Sequence, residues 1–198
     1  MIALLLPATT VLSQGRQSTT SVQRKNFNYQ LSQANITFKL PAGFREIKAV
    51  NNEDFPFDYA IELPGQDFEI WFHAMSLKRN WILYAESGDD ANKLENPDST
   101  YIQMGRAQAR AFTDGDDYIV RTIGPEILAQ YNADAGKTYL LNLLDLKETK
   151  HYRYALLITL QKHHTGNLMA VCFTNNKNPE FFKNMKRAAN CIKFKPLK

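Results

Sequence analysis

The sequence predicts an α+β fold: an antiparallel β-sheet flanked by helices, with an amphipathic C-terminal helix packed on a β-meander. Three observations carry this. Thr138–Leu146, Tyr152–Gln161 and Asn167–Phe173 are consecutive strand-like segments joined by polar turns. The stretch that follows repeats apolar residues at Phe181, Met185, Ala188 and Ile192, with Phe182 and Ala189 widening the stripe. A helical stripe of that kind must bury against something, and the preceding meander is its natural partner. Finally, Tyr59–Leu63 and Phe68–Met75 flank Pro64-Gly65, the pattern of a hairpin. Runs of strands and helices without strict alternation point to an α+β layering.

The chain has 198 residues, 44% of them hydrophobic, with 12 Phe, 9 Tyr and 2 Trp. That composition suits one globular domain with a substantial core and excludes an intrinsically disordered chain. At the N-terminus, Ile2, Leu4, Leu5 and Leu6 form an apolar run, closed by Val11 and Leu12. Ser13-Gln14-Gly15 then places small residues two apart, the pattern of a secretory signal cleaved near residue 15. Residues 1–15 are therefore expected to be a signal peptide, 16–28 a flexible leader and 29–198 a single domain. The apolar run falls short of the ~20 residues of a membrane span. No other stretch is apolar enough, so the mature protein is expected to be exported and soluble, with no transmembrane segment.

Along the domain, Ile36–Leu40 alternates and meets Pro41-Ala42-Gly43, a strand ending in a turn. Phe44–Val50 continues extended, and Asn51–Pro56 is a loop. In the hairpin, Phe68, Ile70, Phe72 and Ala74 share one face, while Glu69, Trp71 and His73 share the other. Asn80 is a candidate cap for a short helix Trp81–Glu86. Ser87–Thr100, rich in Asp, Asn, Gly and Pro, reads as a long loop. Arg106–Phe112 and Tyr118–Ile123 flank Asp114-Gly115-Asp116, which favours a hairpin. A helix over Tyr101–Phe112 is the alternative, because Ala, Gln and Arg favour that state. Pro125 with Glu126 opens a helix to about Tyr131. Asn178 or Asn176 caps the final helix, with Pro179 and Glu180 in its first turn.

Ile36-Thr37-Phe38-Lys39-Leu40-Pro41-Ala42-Gly43-Phe44 resembles the opening strand of the PsbP/DcrB-like domains: an extended segment, then Pro, Gly and an aromatic. The close is similar too, with two long strands, a polar turn, a third strand and an amphipathic helix ending Ile192-Lys193-Phe194. The resemblance covers about half of the chain as a pattern. It implies an α/β/α sandwich and a non-enzymatic role, since such domains mostly assist or bind other proteins. It carries over no functional residues.

Chemical signatures are sparse. Gly136-Lys137-Thr138 invites a phosphate loop, but Tyr131 stands where the leading Gly belongs, and a turn is the simpler reading. Adjacent His163 and His164 point to opposite sides of a strand and suit a polar hairpin tip better than a metal site. No Gly-x-Ser-x-Gly elbow exists, and no catalytic residues are assigned. Asp89-Asp90 and Asp116-Asp117 lie in turns, and a Ca²⁺ site at Asp114, Asp116 and Asp117 lacks the spacing of a known loop. Cys172 and Cys191 form a candidate disulfide in an exported chain, or two separate buried thiols.

The formal charge is +4. Its cations are spread, with a concentration at Lys183, Lys186, Arg187, Lys193, Lys195 and Lys198 that reads as a solvated surface, so nucleic acid is not expected as a partner. The candidate anion-binding face is electrostatic. On a hairpin, Arg106, Gln108 and Arg110 line one side, and Arg121 joins from the partner strand.

The expected function is that of an exported, non-catalytic binding or assembly domain without a cofactor, its partner another protein or an envelope component. The rivals are an enzyme assembled from scattered residues around Trp71, His73 and the arginines, and a carrier of a small apolar ligand.

Overall fold

The computed structural model describes residues 20–87 and 95–196. The expected signal peptide and the Asp89-Asp90 pair lie outside them. Among the described residues the fold is α+β, with a large antiparallel sheet flanked by helices.

The first element is a helix, α1, Val22–Gln33. Over residues 22–28 a helix stands where a flexible leader is expected. Ser21 caps it, its hydroxyl accepting from the Arg24 N–H at 3.0 Å. Phe27 and Leu31, one turn apart, are buried, and the Phe27 ring stacks on Tyr59 at 4.8 Å. A single apolar pair suffices because packing, not propensity, stabilises most helices in proteins.

The expected first strand is present as β1, Ile36–Phe38. Its partner is the last strand of the fold, β9, Ile192–Phe194, in a separate two-stranded sheet. The main sheet contains β2 (Arg45–Ile47), β3 (Tyr59–Glu62), β4 (Glu69–Ser76), β5 (Tyr118–Thr122), β6 (Ala135–Asn142), β7 (Tyr154–Lys162) and β8 (Gly166–Thr174). Its order is β2-β3-β4-β8-β7-β6-β5, antiparallel throughout. The predicted hairpin is β3–β4, and the predicted meander is β6–β7–β8.

Four further helices complete the described chain. α2 is Lys78–Glu86, and its N-cap is Leu77, so Asn80 lies inside the helix rather than capping it. A 3-10 turn at Pro97–Ser99 leads into α3, Thr100–Thr113. The expected strand over Arg106–Phe112 is thus a helix, the alternative reading. Gly105, Gln108, Ala109 and Phe112 recur at helical spacing and turn inward, and this stripe overrides the period-two alternation of Ala with Arg and Gln. α4, Pro125–Tyr131, has Gly124 before it and ends on Asn132 in the left-handed region. Gly136-Lys137-Thr138 lies inside β6, not at a turn or the start of a helix. A Cβ on Gly136 would approach the Thr159 carbonyl oxygen to 2.8 Å, so glycine is needed there for close backbone packing.

α5, Pro179–Ala188, is capped by Asn178, whose side chain accepts from the Phe181 N–H at 3.0 Å. Ile192, expected on its stripe, belongs to β9 instead, though it is buried in the same core.

Two cores sandwich the sheet. On one face Phe27, Leu31, Ile61, Ile70, Phe72 and Phe181 pack together beneath α1, α5 and the small sheet. On the other, Trp71, Ala109, Phe112, Tyr139, Leu157 and Phe173 pack beneath α3. β4 contributes alternate residues to each, as its pattern predicts: Phe72 and Ala74 to the first, Trp71 to the second.

Candidate binding surface

Antiparallel register aligns side chains across the sheet in transverse rows, since partners in neighbouring strands point to the same face. One row on the α1/α5 face runs Ile119, Leu140, Leu156, Cys172, Ile70, Ile61 from β5 to β3. The next runs Arg121, Thr138, Ile158, Ala170, Phe72, Tyr59. Burial changes systematically along both. Tyr59, Ile61, Ile70, Phe72 and Cys172 are buried, whereas Leu140, Leu156, Ile158 and Ala170 are only half-buried. Ile119 is 59% exposed at the end of its row.

The cause is helix placement. α1 packs on β3 and β4, and Phe181 of α5 meets Phe68 at 5.8 Å. α4 packs on β9. Leu128 and Tyr131 of α4 and Met185 of α5 pack against the core that holds Ile123 and Leu160, which leaves the Ile119–Leu140 corner least covered, while α3 packs on β6, β7 and β8 from the other side. Ile119 faces solvent at that corner and Leu140 is half-buried, whereas Leu156, Ile158 and Ala170 pack against the core.

The rim of the β5–β6–β7 half carries cations, aromatics and one exposed acid, Asp117, which accepts from Asn142. Tyr154 extends it on β7, with the Lys177 ammonium 4.1 Å from its ring centroid. Lys177, Phe182, Lys183 and Lys186 line one shallow groove, and Phe182 is 50% exposed. Arg121 is exposed at the β5 end.

A small cavity continues the surface inward beside α5, lined by Ile158, Ala170, Cys172, Met185, Cys191 and Tyr131 among others, and holding about 50 Å³. Ligand pockets run from about 300 to 1,000 Å³. The cavity has room for a small group inserted from a bound partner rather than for a whole carried ligand. Cys172 and Cys191 both face this space and are free thiols, not the bridge the sequence allows. Burial pushes each thiol up to about 12, and pushes the Tyr131 hydroxyl up to about 12 as well.

The anion-binding face expected from Arg106, Gln108, Arg110 and Arg121 does not assemble. Three of the four ride on α3, where i, i+4 spacing keeps Arg106 and Arg110 on one exposed face and turns Gln108 inward. Gln108 is buried and donates to the Asp54 carbonyl at 3.1 Å. Arg110 pairs with Asp116 at 2.9 Å. Arg106 is exposed on α3, on the side of the sheet opposite to Arg121, which shares its row with Thr138 and Ile158. The Asp114, Asp116 and Asp117 group is equally dispersed. Asp116 accepts from Arg110 and from the Tyr118 hydroxyl, and Asp117 accepts from Asn142.

A polar constellation missed by sequence reasoning lies at the β7–β8 tip. The Asp98 carboxylate contacts His163 Nδ1 at 2.9 Å and accepts from the Trp81 indole N–H at 3.2 Å and the His164 N–H at 3.1 Å. The Trp81 and His164 rings stack at 3.7 Å. Burial alone would raise the Asp98 carboxyl, but His163, His164 and Trp81 together hold it below the usual carboxylate range. Chemically this is an oriented acid–imidazole pair. Among the described residues no serine, threonine or cysteine side chain hydrogen-bonds the His163 ring, so the pair's evident work is to clasp α2 and the 3-10 turn to the hairpin tip. Asp98 was hidden in sequence because its partners lie 17 and more than 60 residues away.

Trp71 and His73, named for the enzymatic rival, sit on the α3 side. Trp71 is buried and donates to Glu69, and His73 pairs with Asp58 at 3.0 Å. Among the described residues no group of three or more His, Cys, Asp or Glu is placed to hold a metal ion, and no helix is long and apolar enough to cross a membrane. No family model matches the chain, and no curated protein matches it.

Proposed function

We propose that this is an exported, non-catalytic binding domain that holds a partner protein against the β5–β6–β7 half of its sheet. One observation carries the reading: the graded exposure from Ile70 to Ile119 along a single apolar row. Contiguous apolar surface rimmed by polar residues marks interaction sites in soluble proteins. The exposed aromatic Phe182 and the half-buried Tyr154 beside it are of the type that anchors interfaces. The apolar run at residues 2–12 supports export, and the pattern shared with PsbP/DcrB-like domains agrees with an assisting role.

The rim selects the kind of partner. Arg121, Lys177, Lys183 and Lys186 favour a surface with acidic margins around an apolar centre. A second copy docked face to face about a two-fold axis would bring basic rim against basic rim, which disfavours a symmetric dimer through this surface.

The test is affinity purification from the native envelope fraction with Ile119→Asp/Phe182→Asp beside the unaltered protein. Both positions are exposed, so the fold should survive, as shown by an unchanged thermal midpoint. The reading expects one protein retained by the unaltered chain and lost by the variant. Equal retention by both would refute it.

A further inference from the structure

Resting on that reading, we infer that the partner engages by adding an extended strand to β5, continuing the sheet beyond its open edge. The two edges of the sheet differ. β2 spans three residues, and its flank is occupied by Gln23 of α1, whose amide donates to the Ile47 carbonyl and accepts from the Ala49 N–H, both at 2.8 Å. β5 spans five residues and pairs only with β6 among the described residues. Ile119, Val120, Arg121 and Thr122 are all exposed.

The hydrogen-bond phase of this edge can be derived. The Ile123 N–H donates to the Gly136 carbonyl at 3.1 Å, directed toward β6. Antiparallel ladders alternate, so Arg121 and Ile119 also point their amides at β6, and Val120 and Thr122 point theirs outward. The Tyr118 N–H is already turned to the Asp116 carbonyl at 2.8 Å. Val120 and Thr122 therefore present two adjacent outward donor–acceptor sets, the template an added strand needs. Natural sheets blunt such edges with short strands or covering groups, as β2 does here. β5 instead combines open backbone with two apolar side chains.

Charge fixes the occupant's character. β5 itself carries one charge, Arg121, and the neighbouring Lys137 ammonium lies 3.3 Å from the Thr122 hydroxyl. Cations thus stand on both faces at the Arg121–Thr122 end. At the other end Asp116 is paired with Arg110. The fitting strand is apolar opposite Ile119 and acidic opposite Arg121. Antiparallel pairing of β5 with a second copy about Val120, whose backbone faces outward, sets each Arg121 against Ile119 and offers it no acid in that register. The added strand would also lengthen the Ile119–Leu140–Leu156 row, joining the edge to the binding face.

The probe is a synthetic peptide, Thr-Val-Thr-Glu-Thr-Val-Thr, titrated into the ¹⁵N-labelled full chain, with a copy N-methylated at alternate amides as control. The amides of Val120 and Thr122 should shift and gain exchange protection with the first peptide only. Val120→Pro removes an outward N–H without touching the β6 ladder, and edge strands tolerate proline. It should keep the thermal midpoint and abolish those shifts. Arg121→Glu should weaken the peptide roughly fivefold, the size of a surface ion pair, and a Lys-for-Glu peptide should restore binding. Shifts elsewhere, no shifts, or unaltered binding by Val120→Pro would overturn strand addition. So would a dimer by sedimentation that Val120→Pro disperses. In the purification experiment, loss of the partner with Ile119→Asp/Phe182→Asp but not with Val120→Pro would leave the binding face standing and remove the strand mode. Retention by all variants would remove both.

Discussion

Gly105 of α3 lies directly against the Tyr139 ring of β6: a Cβ at Gly105 would meet the ring and its hydroxyl at 2.6 Å. Tyr139 is buried, and its hydroxyl donates to the Ile102 carbonyl at 3.2 Å, so the ring is held from both sides. This contact brings α3 down onto the sheet. It closes one face, whereas the opposite face is open at the Ile119–Leu140 corner.

Gly105→Ala tests that closure. Alanine favours a helix over glycine by about 1 kcal/mol. Overpacking a tight contact costs about 1–3 kcal/mol, and a ring fixed at both ends cannot yield cheaply. With the cost at the upper end of that range, the net expectation is destabilisation by about 2 kcal/mol, a fall in thermal midpoint of roughly 4–8 °C for a chain of this size. An unchanged or raised midpoint in a calorimetric scan would show that α3 stands off from the sheet.

The Asp98 clasp predicts a pH dependence. Burial disfavours its ionised form, but the hydrogen bonds from His163, His164 and Trp81 prevail, so the folded pKa lies below the ordinary value. Asp134 behaves alike: burial opposes ionisation, while Lys162 and the His163 N–H outweigh it. A carboxyl that is the stronger acid when folded stabilises fully above its unfolded pKa, about 4. That stabilisation is lost as pH falls through the lower folded value. Asp98→Asn should cost about 1 kcal/mol at neutral pH. It should also flatten the acid limb of stability, measured by urea unfolding across the acid range. A variant with the same acid dependence as the parent would place the pH sensitivity elsewhere.

The two cysteines predict slow chemistry. With a pKa of about 12, each thiol is ionised at about pH 8 to roughly one part in ten thousand, and the thiolate is the nucleophile. In protein purified under reducing conditions, alkylation should be slowed on the order of a thousandfold or more relative to the denatured chain. Mass spectrometry would count the labels. Rapid labelling of the native protein would mean that α5 does not cover Cys172 as described.

Much of the fold was legible because its signals are local. The β4 alternation, the Asn178-Pro179-Glu180 start of α5 and the meander are written in short stretches. α1 escaped notice because polar residues surround its one buried pair, although Ser21 followed by Phe27 and Leu31 was the available cue. α3 was misassigned because Ala107, Ala109 and Ala111 alternate with longer polar residues, and period two and period 3.6 compete over so short a run. The candidate surface left no local trace. Ile119 and Leu140 resemble buried strand residues in sequence, and only the positions of α1, α4 and α5 leave the first exposed and the second half-buried. Asp98 and His163 likewise meet through tertiary structure alone.

The central claim, that this half of the sheet is a binding surface, is tested most directly by a photo-crosslinking residue installed at half-buried Leu156 in the middle of the graded row. A second copy carries it at Leu83, an exposed position on α2 away from the sheet. Irradiation in the native envelope fraction should join the Leu156 copy to one discrete protein and leave the Leu83 copy unjoined. The same adducts from both positions, or none from Leu156, would contradict the account.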